Sequence, residues 1–210
     1  FTGEYYFNYA AEGGLKMRVF AGKFFYIGDK TFVKEFETDI YHLNMSGPKG
    51  YEDYNYSNYF VGRNEYDKYS SQQIMIRDGG FKVRTDLLSN KVGKTDDWLV
   101  AINLTSSIPT SINPLSVLPV KLPVKIFFDM GTYAEAWKKN AATGRIIYDA
   151  GIQLSLFHDV LNVYVPLLYS KVYSDYFKST IPEKRFVKNI AFSIDLQNLS
   201  AKKLFPQLPL

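Results

Sequence analysis

Apolar residues recur at every second position in this chain, and the pattern persists for ten residues or more in several places. Between 146 and 156 the apolar set is Ile146, Tyr148, Ala150, Ile152, Leu154 and Leu156, while Asp149, Gly151, Gln153 and Ser155 lie between them. Successive side chains of a β-strand point to opposite faces, so such a segment is a strand with one greasy and one wet face. The pattern returns where Leu122, Val124, Ile126, Phe128 and Met130 alternate with Lys125, Asp129 and Gly131. It returns again where Ile190, Phe192, Ile194 and Leu196 oppose Asn189, Ala191, Ser193 and Asp195. Leu15, Met17, Val19 and Ala21 oppose Lys16, Arg18 and Gly22, and Trp98, Val100, Ile102 and Leu104 oppose Ala101, Asn103 and Thr105.

These runs predict an all-β, antiparallel chain with strands near 3–10, 14–27, 34–45, 54–63, 70–78, 80–87, 97–107, 120–133, 144–157, 160–170 and 185–197. Helix is predicted only in the connection from Tyr133 to Ala141. Ser46-Gly47-Pro48-Lys49-Gly50 reads as a loop, Asp78-Gly79-Gly80 as a tight turn or bulge, and the prolines at 109, 114, 119 and 123 as an interrupted or edge ladder. The whole is expected to be one β-barrel domain over residues 1–210 or the C-terminal part of a larger barrel. Loss of its opening strands would leave an unpaired, aggregation-prone edge.

Alternation alone does not say which face is buried. A soluble sandwich or lipocalin-like barrel keeps its apolar face inside; a membrane barrel turns it outward and lines its lumen with polar groups. A membrane strand needs about 9–11 tilted residues, which these runs reach, whereas ordinary strands cluster near 5–6. The wet faces hold small residues and a few charges, as a crowded lumen does. The expectation is therefore an up-and-down barrel of outer-membrane type, complete or partial, with roughly ten or eleven strands. Its outward face would meet outer-membrane lipid. Arg18, Lys125, Asp129, Asp149 and Asp195 fall on the wet faces and are expected to form a lumen network by pairing with one another. Such a network is either structural or a polar pathway and plug-docking surface.

Composition narrows the chemistry. The 17 Tyr and 16 Phe against 2 Trp suit sheet surfaces and the headgroup level of a membrane. Cysteine is absent, which removes disulfides, thiolate metal sites and cysteine nucleophiles. The net charge of +4 comes from scattered charges rather than a nucleic-acid stripe, so no nucleic-acid partner is expected. The two histidines, His42 and His158, are far apart, and His158 beside Asp159 reads as a turn residue. Neither an HExxH helix, a GxSxG elbow nor a phosphate-cradling glycine loop occurs. No catalytic residue, metal ligand or cofactor is therefore assigned in this segment. The opening Phe1-Thr2-Gly3-Glu4 lacks an initiator Met and the layout of a signal peptide, so a mature or excised fragment is expected.

Three stretches carry a resemblance. Leu122-Pro123-Val124-Lys125-Ile126-Phe127-Phe128-Asp129-Met130-Gly131-Thr132-Tyr133, then Tyr148-Asp149-Ala150-Gly151-Ile152-Gln153-Leu154, then Val163-Tyr164-Val165-Pro166-Leu167-Leu168 resemble the closing strands of surface-antigen-type outer-membrane barrels. With Tyr59-Phe60-Val61-Gly62-Arg63-Asn64-Glu65 and the run from Ser71 to Phe81, the chain resembles the C-terminal region of Bacteroidetes metallopeptidases of the gluzincin aminopeptidase type. The resemblance implies a non-catalytic barrel in the outer membrane of a Gram-negative bacterium. It would anchor or present a zinc peptidase domain lying N-terminal to Phe1, and zinc would belong to that domain alone. The competing readings are a surface-antigen-type translocation or assembly barrel and a soluble β-barrel or sandwich that binds a ligand or partner.

Overall fold

The computed structural model describes residues 1–10, 13–25, 27, 43–47, 69–84, 92–109, 111, 113, 122–157 and 159–195. The alternating runs become long strands: β1 (Thr2–Ala10), β2 (Gly13–Lys23), β7 (Trp98–Ser107), β8 (Val124–Tyr133), β9 (Ile147–Leu156), β10 (Leu161–Tyr169) and the shorter β11 (Ala191–Ile194). They form one seven-stranded antiparallel sheet in the order β1-β2-β7-β8-β9-β10-β11, an up-and-down meander with one long insertion between β2 and β7. Among the described residues of that insertion are four short strands: β3 (Leu43–Asn44) pairs with β6 (Lys94–Thr95), and β4 (Ser46–Gly47) pairs in parallel with β5 (Phe81–Arg84). Among the described residues β1 and β11 are the sheet's two edges, and no ladder joins them. The all-β antiparallel class is thus present, and among the described residues the sheet is open, as a partial barrel would be.

Register explains one conspicuous irregularity. Pro166 lacks an N–H, and the β9–β10 ladder shifts between Pro166 and Leu168. Opposite it, a Cβ on Gly151 would sit 2.1 Å from the Val165 carbonyl oxygen, so only glycine allows the two backbones so close.

The connections differ between the two ends of the sheet. At one end lie the short β1–β2 and β9–β10 connections together with 108–123; at the other lie the insertion after β2, the 134–146 connection and the 170–190 connection. The last holds two helices, α1 (Lys171–Thr180) and α2 (Arg185–Asn189). Tyr173 and Phe177 fall one turn apart on α1 and pack into a core with Met45, Phe81, Val83, Leu99, Tyr133 and Ile147. This core fills the long-connection end of the sheet's enclosed face.

Several expectations need correction. The predicted strand at 70–78 is a 3-10 turn over Tyr69–Gln72 followed by a segment with a single bridge, Gln73 to Phe192. It is held instead by contacts to the distant 187–192 segment: Gln72 Nε2 donates to the Val187 and Ile190 carbonyls at 2.6 and 2.8 Å, and the Ile74 N–H donates to the Phe192 carbonyl at 2.8 Å. The predicted strand at 185–197 begins as α2 and becomes strand only at Ala191. Helix α1 was not expected at all, whereas the connection after Tyr133 does contain a 3-10 turn, Ala134–Trp137. The expected strand at 54–63, most of that at 34–45, the proline-rich stretch at 114–119, and His42 and His158 lie outside the described residues.

Candidate functional site: the polar enclosed face

Away from the apolar core, the enclosed face of the sheet is polar and its outer face apolar. Along β8 and β9 the residues of the enclosed face, Phe127, Asp129, Gly131, Asp149, Gly151 and Gln153, are all buried. On the opposite face Ile126, Phe128, Tyr148 and Ile152 are exposed, at 52, 39, 42 and 40%. Tyr5 and Phe7 of β1, Met17 of β2, Val100 of β7 and Leu167 of β10 extend that exposed apolar surface across the sheet. Lipid and protein interiors accept such a face; bulk water opposes it.

The enclosed face curls around a cavity of about 1050 Å³ whose lining comes from every one of the seven strands or the residue just after the last, from Glu4 on β1 to Asp195 beyond β11. The cavity lies toward the short-turn end. Lys16 reaches Glu4 at 2.9 Å there, and Lys125 reaches Asp159 at 2.6 Å. Burial pulls the Asp159 carboxyl upward, but the Lys125 hydrogen bond and charge outweigh it and hold the group below its ordinary value.

The segment Arg77–Arg84 crosses this face from the insertion and is fastened to four strands. Gly80 N donates to the Arg77 carbonyl at 2.7 Å, closing a turn at Asp78-Gly79. Arg18 of β2 donates to the Asp78 carbonyl at 2.7 Å and to Asn103 Oδ1 at 2.8 Å. Asn103 Nδ2 of β7 in turn donates to the Gly79 carbonyl and to Asp129 Oδ1, at 2.8 and 2.9 Å. Lys82 Nζ places both Asp129 oxygens within 2.6 and 2.8 Å, and the Lys82 and Val83 backbone N–H groups donate to Asp149 Oδ2 at 3.0 and 3.1 Å. The ammonium also lies 5.3 Å from the Phe127 ring centroid. Asp149 Oδ1 is buried with no hydrogen-bond partner among the described residues.

All five residues named from the sequence lie on or beside the enclosed face, but they do not serve as one another's chief partners. Arg18 holds the turn, Lys125 takes Asp159, and Asp129 and Asp149 receive Lys82 and its backbone. Asp195 borders the cavity, and its backbone N–H donates to the Val160 carbonyl at 2.8 Å. For Arg18, Asp129 and Asp149 the reason is geometric: a segment inserted across the sheet reaches these charges before a partner across the cavity does. Lys82 and Asn103 are the members that sequence reading missed.

This arrangement fastens one layer to another. Among the described residues no group of three or more His, Cys, Asp or Glu side chains is placed to hold a metal ion, and no helix is long and apolar enough to cross a membrane. No protein-family model, curated protein or solved structure matches the chain.

Proposed function

We propose that this chain is the lipid-embedded, non-catalytic β-barrel portion of an outer-membrane protein, serving as an anchor rather than a conduit. The observation that carries the reading is the polarity of the two faces: exposed Ile126, Phe128 and Ile152 on the outer face, buried Asp129, Asp149 and Asn103 on the enclosed one. A sheet built this way exposes apolar area that is stable against hydrocarbon, and its nine- to eleven-residue strands have the length a tilted membrane strand needs. The anchor reading is supported by the core of Phe81, Leu99, Tyr133, Tyr173 and Phe177, which fills the enclosure at the long-connection end. A translocation barrel needs that path open.

The cargo of the anchor, a zinc metallopeptidase domain N-terminal to Phe1 in a Bacteroidetes outer membrane, rests on the family resemblance. Fractionation tests the membrane part. The protein is expected to stay with membranes through a urea or carbonate wash and to require detergent for extraction. A monodisperse, detergent-free monomer would contradict it. An HExxH helix encoded upstream supports the peptidase cargo, and tandem soluble repeats there would replace it with the assembly-barrel reading.

A further inference from the structure

Two of the connections at one end of the sheet are rich in cations. The 134–146 and 170–190 connections carry eight lysines and arginines against three acidic residues, while the insertion at 24–97, at the same end, carries ten against twelve. The connections at the other end, 11–12, 108–123 and 157–160, carry one lysine against two acids. The cationic excess of those two connections is the kind of charge that anionic lipid surfaces attract.

The geometry at β8 and β9 puts part of that excess at the border of the apolar outer face. Thr132 sits on the outward side of β8, and Trp137 Nε1 donates to its hydroxyl at 2.8 Å, folding the indole back over the end of the sheet. The Arg145 guanidinium lies 4.8 Å from the Trp137 ring centroid, and the Thr132 hydroxyl donates to the Arg145 carbonyl at 2.6 Å. Trp137 is 53% exposed and Ile146, next to Arg145, is 59% exposed. Lys138 and Lys139 follow Trp137 and are exposed; Lys138 Nζ lies 3.5 Å from Glu135 Oε1. An indole, an aliphatic side chain and three cations thus share one ledge. Aromatic rings settle at the level of membrane headgroups, and cations beside them meet the phosphates of that layer.

We infer that Trp137, Arg145, Lys138 and Lys139 form a binding ledge for the phosphorylated headgroup of an anionic membrane lipid, at the long-connection end of the sheet. This deepens the lipid-embedded reading and rests on it. The indole and Ile146 sit against the acyl boundary, while Arg145, held by its stacking, presents its fork to phosphate oxygens. The lipid source is favoured over a free phosphate ion because the cations adjoin exposed apolar residues rather than a walled cleft.

The test uses the full chain carrying Trp98→Phe, so that Trp137 is the sole indole, in neutral-detergent micelles doped with brominated phosphatidylglycerol or brominated phosphatidylcholine. Quenching by the anionic lipid is expected at a mole fraction roughly three- to tenfold lower than by the zwitterionic one. Replacing Arg145, Lys138 and Lys139 together by Gln is expected to make the two lipids equal while leaving quenching by phosphatidylcholine unchanged. Equal quenching in the parent overturns the ledge but leaves the lipid-embedded reading standing. Absence of quenching by either lipid overturns both. Suppression of the preference by 10-fold excess inorganic phosphate over lipid would make this a soluble-anion site and overturn the lipid assignment.

Discussion

Asp129 and Asp149 stand directly opposite one another on β8 and β9, both wholly buried, and Lys82 from the crossing segment meets the pair with its ammonium on one and its backbone on the other. A fully buried ion pair gains little over apolar packing, because desolvation offsets attraction, yet removing one member strands the other charge. Lys82→Met is therefore expected to lower folding stability by about 3–5 kcal/mol. Adding Asp129→Leu to that variant should recover most of the loss, as read in a denaturant double-mutant cycle. An additive cycle would mean that Lys82 and Asp129 do not depend on each other.

Gly80 supplies a backbone test of the same crossing segment. Its φ of +71° lies in the left-handed region, and a Cβ there would approach Asn103 Oδ1 to 2.5 Å. Gly80→Ala should cost about 1–3 kcal/mol from strain alone and more from the displaced Asn103. Gly144→Ala, where the nearest atom is an ordinary 3.5 Å away, should stay within about 0.5 kcal/mol. Equal effects in thermal or denaturant melts would show that the turn does not seat against Asn103.

Asp78 gives a pH dependence. Burial raises its carboxyl above the ordinary value, opposed by the charges of Arg77 and Arg18 and by the backbone hydrogen bond from Asn44. The folded state then holds this proton more tightly than the unfolded state. Its contribution is greatest below the unfolded value and is lost as pH rises through the folded one. Asp78→Asn keeps an oxygen for the Asn44 N–H and removes the titration. The variant should gain stability relative to the parent on going from pH 3 to pH 7, read from denaturant midpoints. A relative loss over that range would contradict the assignment.

The legible part of this fold is the part governed by local alternation. Strands β1, β2, β7, β8, β9 and β10 each carry a period-two pattern long enough to be read, and Asp78-Gly79-Gly80 was recognisable as a turn. Helix α1 left a signal that was passed over: Tyr173 and Phe177 repeat at i, i+4, Ser170 precedes them, and Pro182 follows. The aromatic, β-favouring composition of that stretch competed with it. Lys82 had no local signal. In Phe81-Lys82-Val83-Arg84 it alternates like any solvated strand lysine, and only the return of the insertion across β8 turns it inward. Alternation places the five charged residues on one face but does not name their partners, because pairing depends on which distant segment arrives there.

The central claim concerns the outer face, and Ile152 tests it most directly. It lies mid-strand on β9, 40% exposed, opposite Ile126 on β8 and Val165 on β10. The measurement is the folding free energy of Ile152→Lys against the parent in phospholipid vesicles. A lipid-facing position near mid-depth should lose about 2–4 kcal/mol. A change within about 0.5 kcal/mol, the usual range for a water-exposed surface position, would contradict the claim that this face meets lipid.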